Sequence, residues 1–376
     1  MNATTRIREG MALPMVLGAI TLIGTLIAGV MYFATQDYRV GANTLNEARA
    51  ESAAELGLNR LTTDWDKSKN ATMVPGDTVT LSYTDPNGAS VTVFVTRLNG
   101  SAFWAVSEAM TRGNSLQYGA RRRYGSVFRI NTPNVNILGG VTAAGNIRVS
   151  GNVTVNGNDV SPTGWQNCPS LVNKPGAVIT PTATVTVNGS VNITGNPPYT
   201  TNAAAGDTNT YFNYGNATYN QLAAAANITL PGGVYTGMAP VVANGVCQTT
   251  PPTNWGDPIR HAPTAACESY FPIIHVTGNL TATTGTGQGV LLVDGDLTEA
   301  GNFTFYGLVI ARGTIRATGS GNAVTGAALA AAVDLGDAVT LGGGTTVQYS
   351  SCTVANVLSS TSSLMASRGR AWVNLY

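Results

Sequence analysis

The chain has 376 residues, a formal net charge of +1 and only 10% charged residues, with 44 glycines. A charge so sparse and balanced excludes a strongly basic or acidic surface and so gives no argument for nucleic acid or an acidic polymer as the main ligand. The length leaves room for an anchor helix and more than one folded unit.

Residues 1–10 form a short leader with Arg6 and Arg8, closing on Glu9 and Gly10. An uncharged apolar run follows over 11–36 and continues as a helical pattern over 37–69. A secretory signal would have a shorter apolar core and a small-residue cleavage site, so this segment is expected to be kept. As a helix it spans roughly 39 Å, enough to cross a hydrocarbon core with tilt. The leading arginines predict an inner-membrane single pass with the C-terminus outside. Pro14 falls in the first turn, where its missing N–H removes no bond. Gly18, Thr21, Thr25, Ala28 and Gly29 lay small side chains along one stripe, a surface for packing helix on helix. Ala50, Ala54, Leu58, Leu61 and Trp65 make a later apolar stripe that needs a covering sheet.

These residues resemble the type IV prepilins, whose basic leader is cut after a glycine while the apolar helix is retained. The matching residues are Arg6-Ile7-Arg8-Glu9-Gly10, then Met11 to Leu17, then Ala53-Ala54-Glu55-Leu56-Gly57-Leu58, the last similar to minor pilins with a PilX-type N-terminus. The resemblance covers about residues 1–65 and implies cleavage between Gly10 and Met11 by a prepilin peptidase. It implies other pilins or minor pilins as partners through the N-terminal helix, with the inner membrane as host before assembly and an extracellular filament or the cell surface after it. The family pattern places a glutamate at the fifth mature position, where it is held to neutralise a neighbour's amino terminus; this chain has Met15 there. A subunit without that carboxylate fits a filament tip better than a repeating shaft.

Residues 70–131 read as a small antiparallel meander: β-prone runs at 78–83 and 90–97 flank the turn Asp85-Pro86-Asn87-Gly88, with two more at 103–110 and 118–130. Arg121, Arg122 and Arg123, beside Tyr118 and Tyr124, could be a nucleic-acid patch, but in a neutral chain they read as a solvated strand face.

Gly289, Gly295, Gly301, Gly307, Gly313 and Gly319 recur every six residues, with apolar residues two and four places on. Gly145, Gly151 and Gly157 repeat that spacing, and Gly189 with Gly195 more faintly. The pattern predicts a Gly-rich parallel β-solenoid over 132–160 and 274–350, similar to bactofilins at the level of pattern only. The fold class is therefore mainly β with an N-terminal α-helix. An irregular insertion is expected over 161–273, and a C-terminal cap over 351–376, including Arg368, Arg370, Trp372 and Tyr376.

Cys168, Cys247, Cys267 and Cys352 lack metal-ligand spacing and, in an exported domain, suggest two disulfides. Of three connectivities, Cys247–Cys267 with Cys168–Cys352 is favoured. Asp294, Asp296 and Glu299 could supply an acid and a base, although Asp296 after Gly295 reads as a turn residue. His261 and His275 show no ligand or triad spacing, so no metal, cofactor or catalytic residue is assigned. Asn192, Asn227, Asn279 and Asn302 read as turn residues rather than glycan acceptors. The reading is a non-enzymatic minor pilin-like protein with a solenoid head for assembly, adhesion or a surface glycan; the alternative is a membrane-anchored β-helix that binds or cleaves polysaccharide.

Overall fold

The computed structural model describes residues 12–113, 119–260, 265–331, 337–367 and 373–375. Arg6, Arg8, Glu9, Gly10, Met11, Tyr118, His261, Arg368, Arg370, Trp372 and Tyr376 lie outside them.

Helix α1 runs unbroken over Ala12–Asp64. Its outer part is bare, whereas Ala50, Ala54, Leu58 and Leu61 are fully buried near its end. They meet a meander of β1 (Thr78–Thr84), β2 (Ser90–Arg97), β3 (Ala102–Met110) and β4 (Arg121–Ile130), each pair antiparallel. Alternation along β2 turns Val91, Val93 and Val95 toward the helix, and together with Phe103 and Phe128 they form one core. Burying each such side chain contributes about 1.5–3 kcal/mol. Gly57 sets how close helix and sheet come: a Cβ there would lie 2.8 Å from Val91 Cγ1 and closer still to Ser107. The Tyr83 hydroxyl donates to the Gly57 carbonyl at 2.9 Å.

The chain leaves this sheet after Ile130 and returns to it opposite the same residue, because Leu364–Ala366 and then Val373–Asn374 pair antiparallel with β4. The C-terminal stretch expected as a cap is therefore divided. Helix Ser351–Ser360 lies on the second sheet, and the final strands complete the first.

Everything between is dominated by a parallel sheet of 14 strands, nearly closed and wound in stacked coils. Three columns of inward side chains run through it. One stacks Leu291, Val309, Ala328, Val141 and Ala177. A second stacks Leu280, Leu297, Ile315, Val339, Ile147 and Val185. The third stacks Gly287, Phe305, Val324, Val347, Val155 and Ile193. At one corner Gly289, Gly307 and Gly326 are in register with φ of +120°, +156° and +142°, and a Cβ on Gly307 would overlap the Gly289 carbonyl oxygen. Only glycine fits at these three positions, which explains part of the six-residue rhythm; the next coil has Tyr349 in register with Gly326.

The stacking order is not the sequence order. From one end it runs through 228–238, 274–289, 290–307, 308–326, 327–349, 141–157, 177–195 and finally 199–201. The chain enters mid-stack, winds to one end, crosses to the other and winds back until 327–349 seats on 141–157. The expectation of an irregular insertion over 161–273 is corrected here, since 177–201 and Ile228–Tyr235 are coils of the stack. Their turns use Pro, Asn and glycines that keep the hexad spacing only at Gly189 and Gly195, so the rhythm marks the first of them faintly and the second not at all. The outer surface of the first face is also apolar: Leu292, Leu308, Ile310 and Leu329 are covered by Tyr211, Tyr214, Tyr219 and Val357.

Candidate functional surfaces

The bare part of α1 is the largest apolar surface. Leu13, Met15, Ile20, Leu26, Val30 and Phe33 are each more than half exposed. Among the described residues α1 is the one helix long and apolar enough to cross a membrane. The hydroxyls of Thr21 and Thr25 donate back to the carbonyls of Leu17, Gly18 and Leu22, so these polar atoms are satisfied within the helix. Around Gly18 and Gly29 nothing comes within 4 Å of a Cβ position. Gly18, Ala28 and Gly29 carry no bulky side chain on this exposed stretch, and Met15 supplies no charge there.

Arg121, Arg122 and Arg123 are committed to carboxylates. Arg121 and Arg123 lie 2.5 and 3.4 Å from Glu108, and Arg122 pairs with Glu47 of α1. Tyr124 donates to Glu51 at 2.6 Å, and this bond raises the phenol to about 12. The cluster fastens β4 to α1, and its charge is largely neutralised for a phosphate backbone.

Where the meander and the wound sheet meet, the decisive residues are ones the sequence reading did not single out. The fully buried Asn70 accepts from Trp65 Nε1 at 2.8 Å and donates to the carbonyls of Ser359 and Ser362 at 2.8 and 2.9 Å. Arg97, 2% exposed, donates to the carbonyls of Asn70, Met73, Asn99 and Gly100 and lies over the Phe103 ring. Burial lowers its pKa, and Asp77 opposes the shift. Asn167 donates to Ala71 and Met73 from the other side. The short helix Lys69–Thr72 is thus held by three regions: Arg97 and Asn167 donate to its carbonyls, and the Asn70 side chain donates to the carbonyls of Ser359 and Ser362. An interior asparagine or arginine among average residues gives no periodic signal, which is why these were missed.

The three carboxylates considered as an acid–base set do not converge. Asp294 faces outward, accepting from Tyr219 at 3.0 Å, with His275 Nε2 at 3.0 Å and Arg312 at 3.7 Å. The Arg312 guanidinium lies 5.3 Å from both the Phe212 and Tyr219 rings, so this cluster clamps the helical segment 203–225 onto the sheet. Asp296 accepts from the Thr314 amide at 2.7 Å and hydroxyl at 2.9 Å, the work of a turn residue. Glu299 points inward between Ala282 and Ala317, 2% exposed, its Oε1 without a partner, and burial raises it to about 8. Among the described residues no group of His, Cys, Asp or Glu could hold a metal ion.

Asn227 and Asn279 accept backbone N–H groups of Ile273 and Asp296 at 2.9 Å. Cys168 is bonded to Cys352, joining the loop after 157 to helix Ser351–Ser360, and Cys247 is bonded to Cys267. The second bond staples a loop that closes one end of the coil stack. There Gly287 leaves a hole in the third column, and the fully buried Trp255 fills it edge-on to Phe303 and Phe305, at 5.9 and 6.3 Å. Met238 and Trp255 accept from the Thr286 and Gln288 amides at 2.8 and 2.7 Å, so the end strand is paired as well as covered.

No protein-family model matches this chain, and no curated protein matches it. Among solved structures, the competence-associated pilin ComZ from Thermus thermophilus is similar at 13% identity, over 81% of this chain and 89% of its own, with a TM-score of 0.22. A likeness at that score carries no argument about function.

Proposed function

We propose that this chain is a non-enzymatic, minor-pilin-like protein. Prepilin peptidase cuts between Gly10 and Met11, and α1 then serves as membrane anchor before assembly and as packing helix afterwards. The meander and wound sheet form its head, displayed at or near a filament tip for pilus assembly, adhesion or contact with a surface glycan. The observation that carries this reading is α1 itself, a single helix of 53 residues that is bare and apolar at one end and the spine of a sheet core at the other. The small residues Gly18, Ala28 and Gly29 support close packing on neighbouring helices, and Met15 favours a position that accepts no further subunit. Cleavage of polysaccharide is the weaker reading, because Asp294, Asp296 and Glu299 face three different environments. Mass spectrometry of the mature N-terminus, with the peptidase present and deleted, tests the proposal. A peptide beginning at Met11 only when the peptidase is present is expected; an intact leader in both strains would overturn it and leave a membrane-held β-helix.

A further inference from the structure

The two ends of the coil stack are built differently. At the 228–238 end, Pro231 interrupts the edge strand, Trp255 fills the core and the Cys247–Cys267 loop lies across it. Proline on an edge and a covering loop are devices that stop further strand pairing. At the other end, Val185–Asn188 and Val191–Thr194 are the last strands of the path. Val187 continues the column of Leu341 and Val149, which are 2% and 0% exposed, yet is itself 48% exposed. The carbonyls of Thr184, Asn188, Ser190 and Thr194 accept from the coil beneath. By the alternation of a parallel ladder, the peptide groups of Val185, Val187 and Ile193 point out of the stack. No Asp, Glu, Lys or Arg occurs between residues 175 and 206, so the edge strands carry no charge of their own; the nearest in register is Arg148, one coil beneath Thr186.

We infer that this edge is a self-association surface, on which Val185–Asn188 of one copy pairs antiparallel with Val191–Thr194 of a second copy, and the reverse. A second copy is the fitting occupant for two reasons. An isologous contact sets the edge against itself, where an uncharged strand meets no like-charge repulsion. The edge offers both donors and acceptors, so it complements its own two-fold image. Two four-residue strands are far fewer than the ~20–30 residues a side of a standard interface. Such pairing is weak in dilute solution and becomes populated where chains are concentrated in one plane, which the apolar part of α1 provides.

The test is sedimentation of the full chain in detergent micelles over a range of concentrations. Wild type, Thr186→Lys, Val187→Pro and the opposite-end control Val234→Lys would be compared. Thr186 and Val234 are exposed, so lysine there leaves the coil packing intact, and far-UV circular dichroism verifies folding. The proposal expects a concentration-dependent dimer in wild type and Val234→Lys, weakened about tenfold or more by Thr186→Lys and by Val187→Pro. A monomer at every concentration overturns it. So does a dimer that survives both edge variants, because that association runs through α1.

Discussion

The closed and open ends of the wound sheet use the same strand geometry and differ in what lies over the last coil. At the closed end an inward position is a glycine, and a tryptophan from outside the ladder completes the core; at the open end an inward valine faces solvent. A repeating coil cannot terminate itself, since each rung presents the next with an apolar interior and a row of peptide groups. Termination comes from a non-repeating element, and this chain spends one on a single end.

Four substitutions break or sharpen that contrast, from the largest effect to the smallest. Trp255→Ala empties the closed end and should cost about 3–5 kcal/mol, read as a lower midpoint in chemical denaturation. Replacing Cys247 and Cys267 with serine frees the covering loop and should cost about 3 kcal/mol, given a sequence separation of 20. Glu299→Gln acts in mid-stack, where closure is complete. The folded carboxyl titrates near 8 and the unfolded one near 4.5, so folding holds a proton across that window. Stability is full below the lower value, falls as pH rises and levels off above the upper one. The glutamine variant should lose that slope and be about 1–3 kcal/mol more stable than wild type at neutral pH, checked by denaturation at pH values on both sides of the window. Val187→Thr, at the open end, should change stability by less than about 0.5 kcal/mol, because the side chain is already half in water. A cost comparable to that of Trp255→Ala would mean that the open end is covered in the isolated chain.

Much of this architecture was legible in the sequence because it is periodic. The apolar run before Asp37 and the stripe from Ala50 to Trp65 define one helix, and period-two alternation defines the meander. Glycine at every sixth place marks the parallel coils from Gly289 onward, because the stacked backbone leaves no room for a Cβ at Gly307. What stayed hidden is non-periodic. Nothing local indicates that Val347 lies beside Val155, since a parallel ladder depends on register between distant segments. The coil at Ile228–Tyr235 turns at Pro231 and paired glycines, a signature indistinguishable from a loop. Asn70, Arg97 and Trp255 act by filling single vacancies, and their spacing carries no information. For the carboxylates, closeness along the chain carries no shared chemistry, since Asp294 and Glu299 lie on opposite sides of one sheet.

The mid-stack entry of the chain also bears on its synthesis. Coil 141–157 is made early but rests on 327–349, so its interior edge at Val153 and Val155 stays uncovered until nearly the whole polypeptide has left the ribosome. Closing that seam joins residues almost two hundred positions apart, a slow step that must be taken while neutral, β-prone strands are open to neighbouring nascent chains. The order in which its coils are born therefore sets when it becomes safe from misassembly.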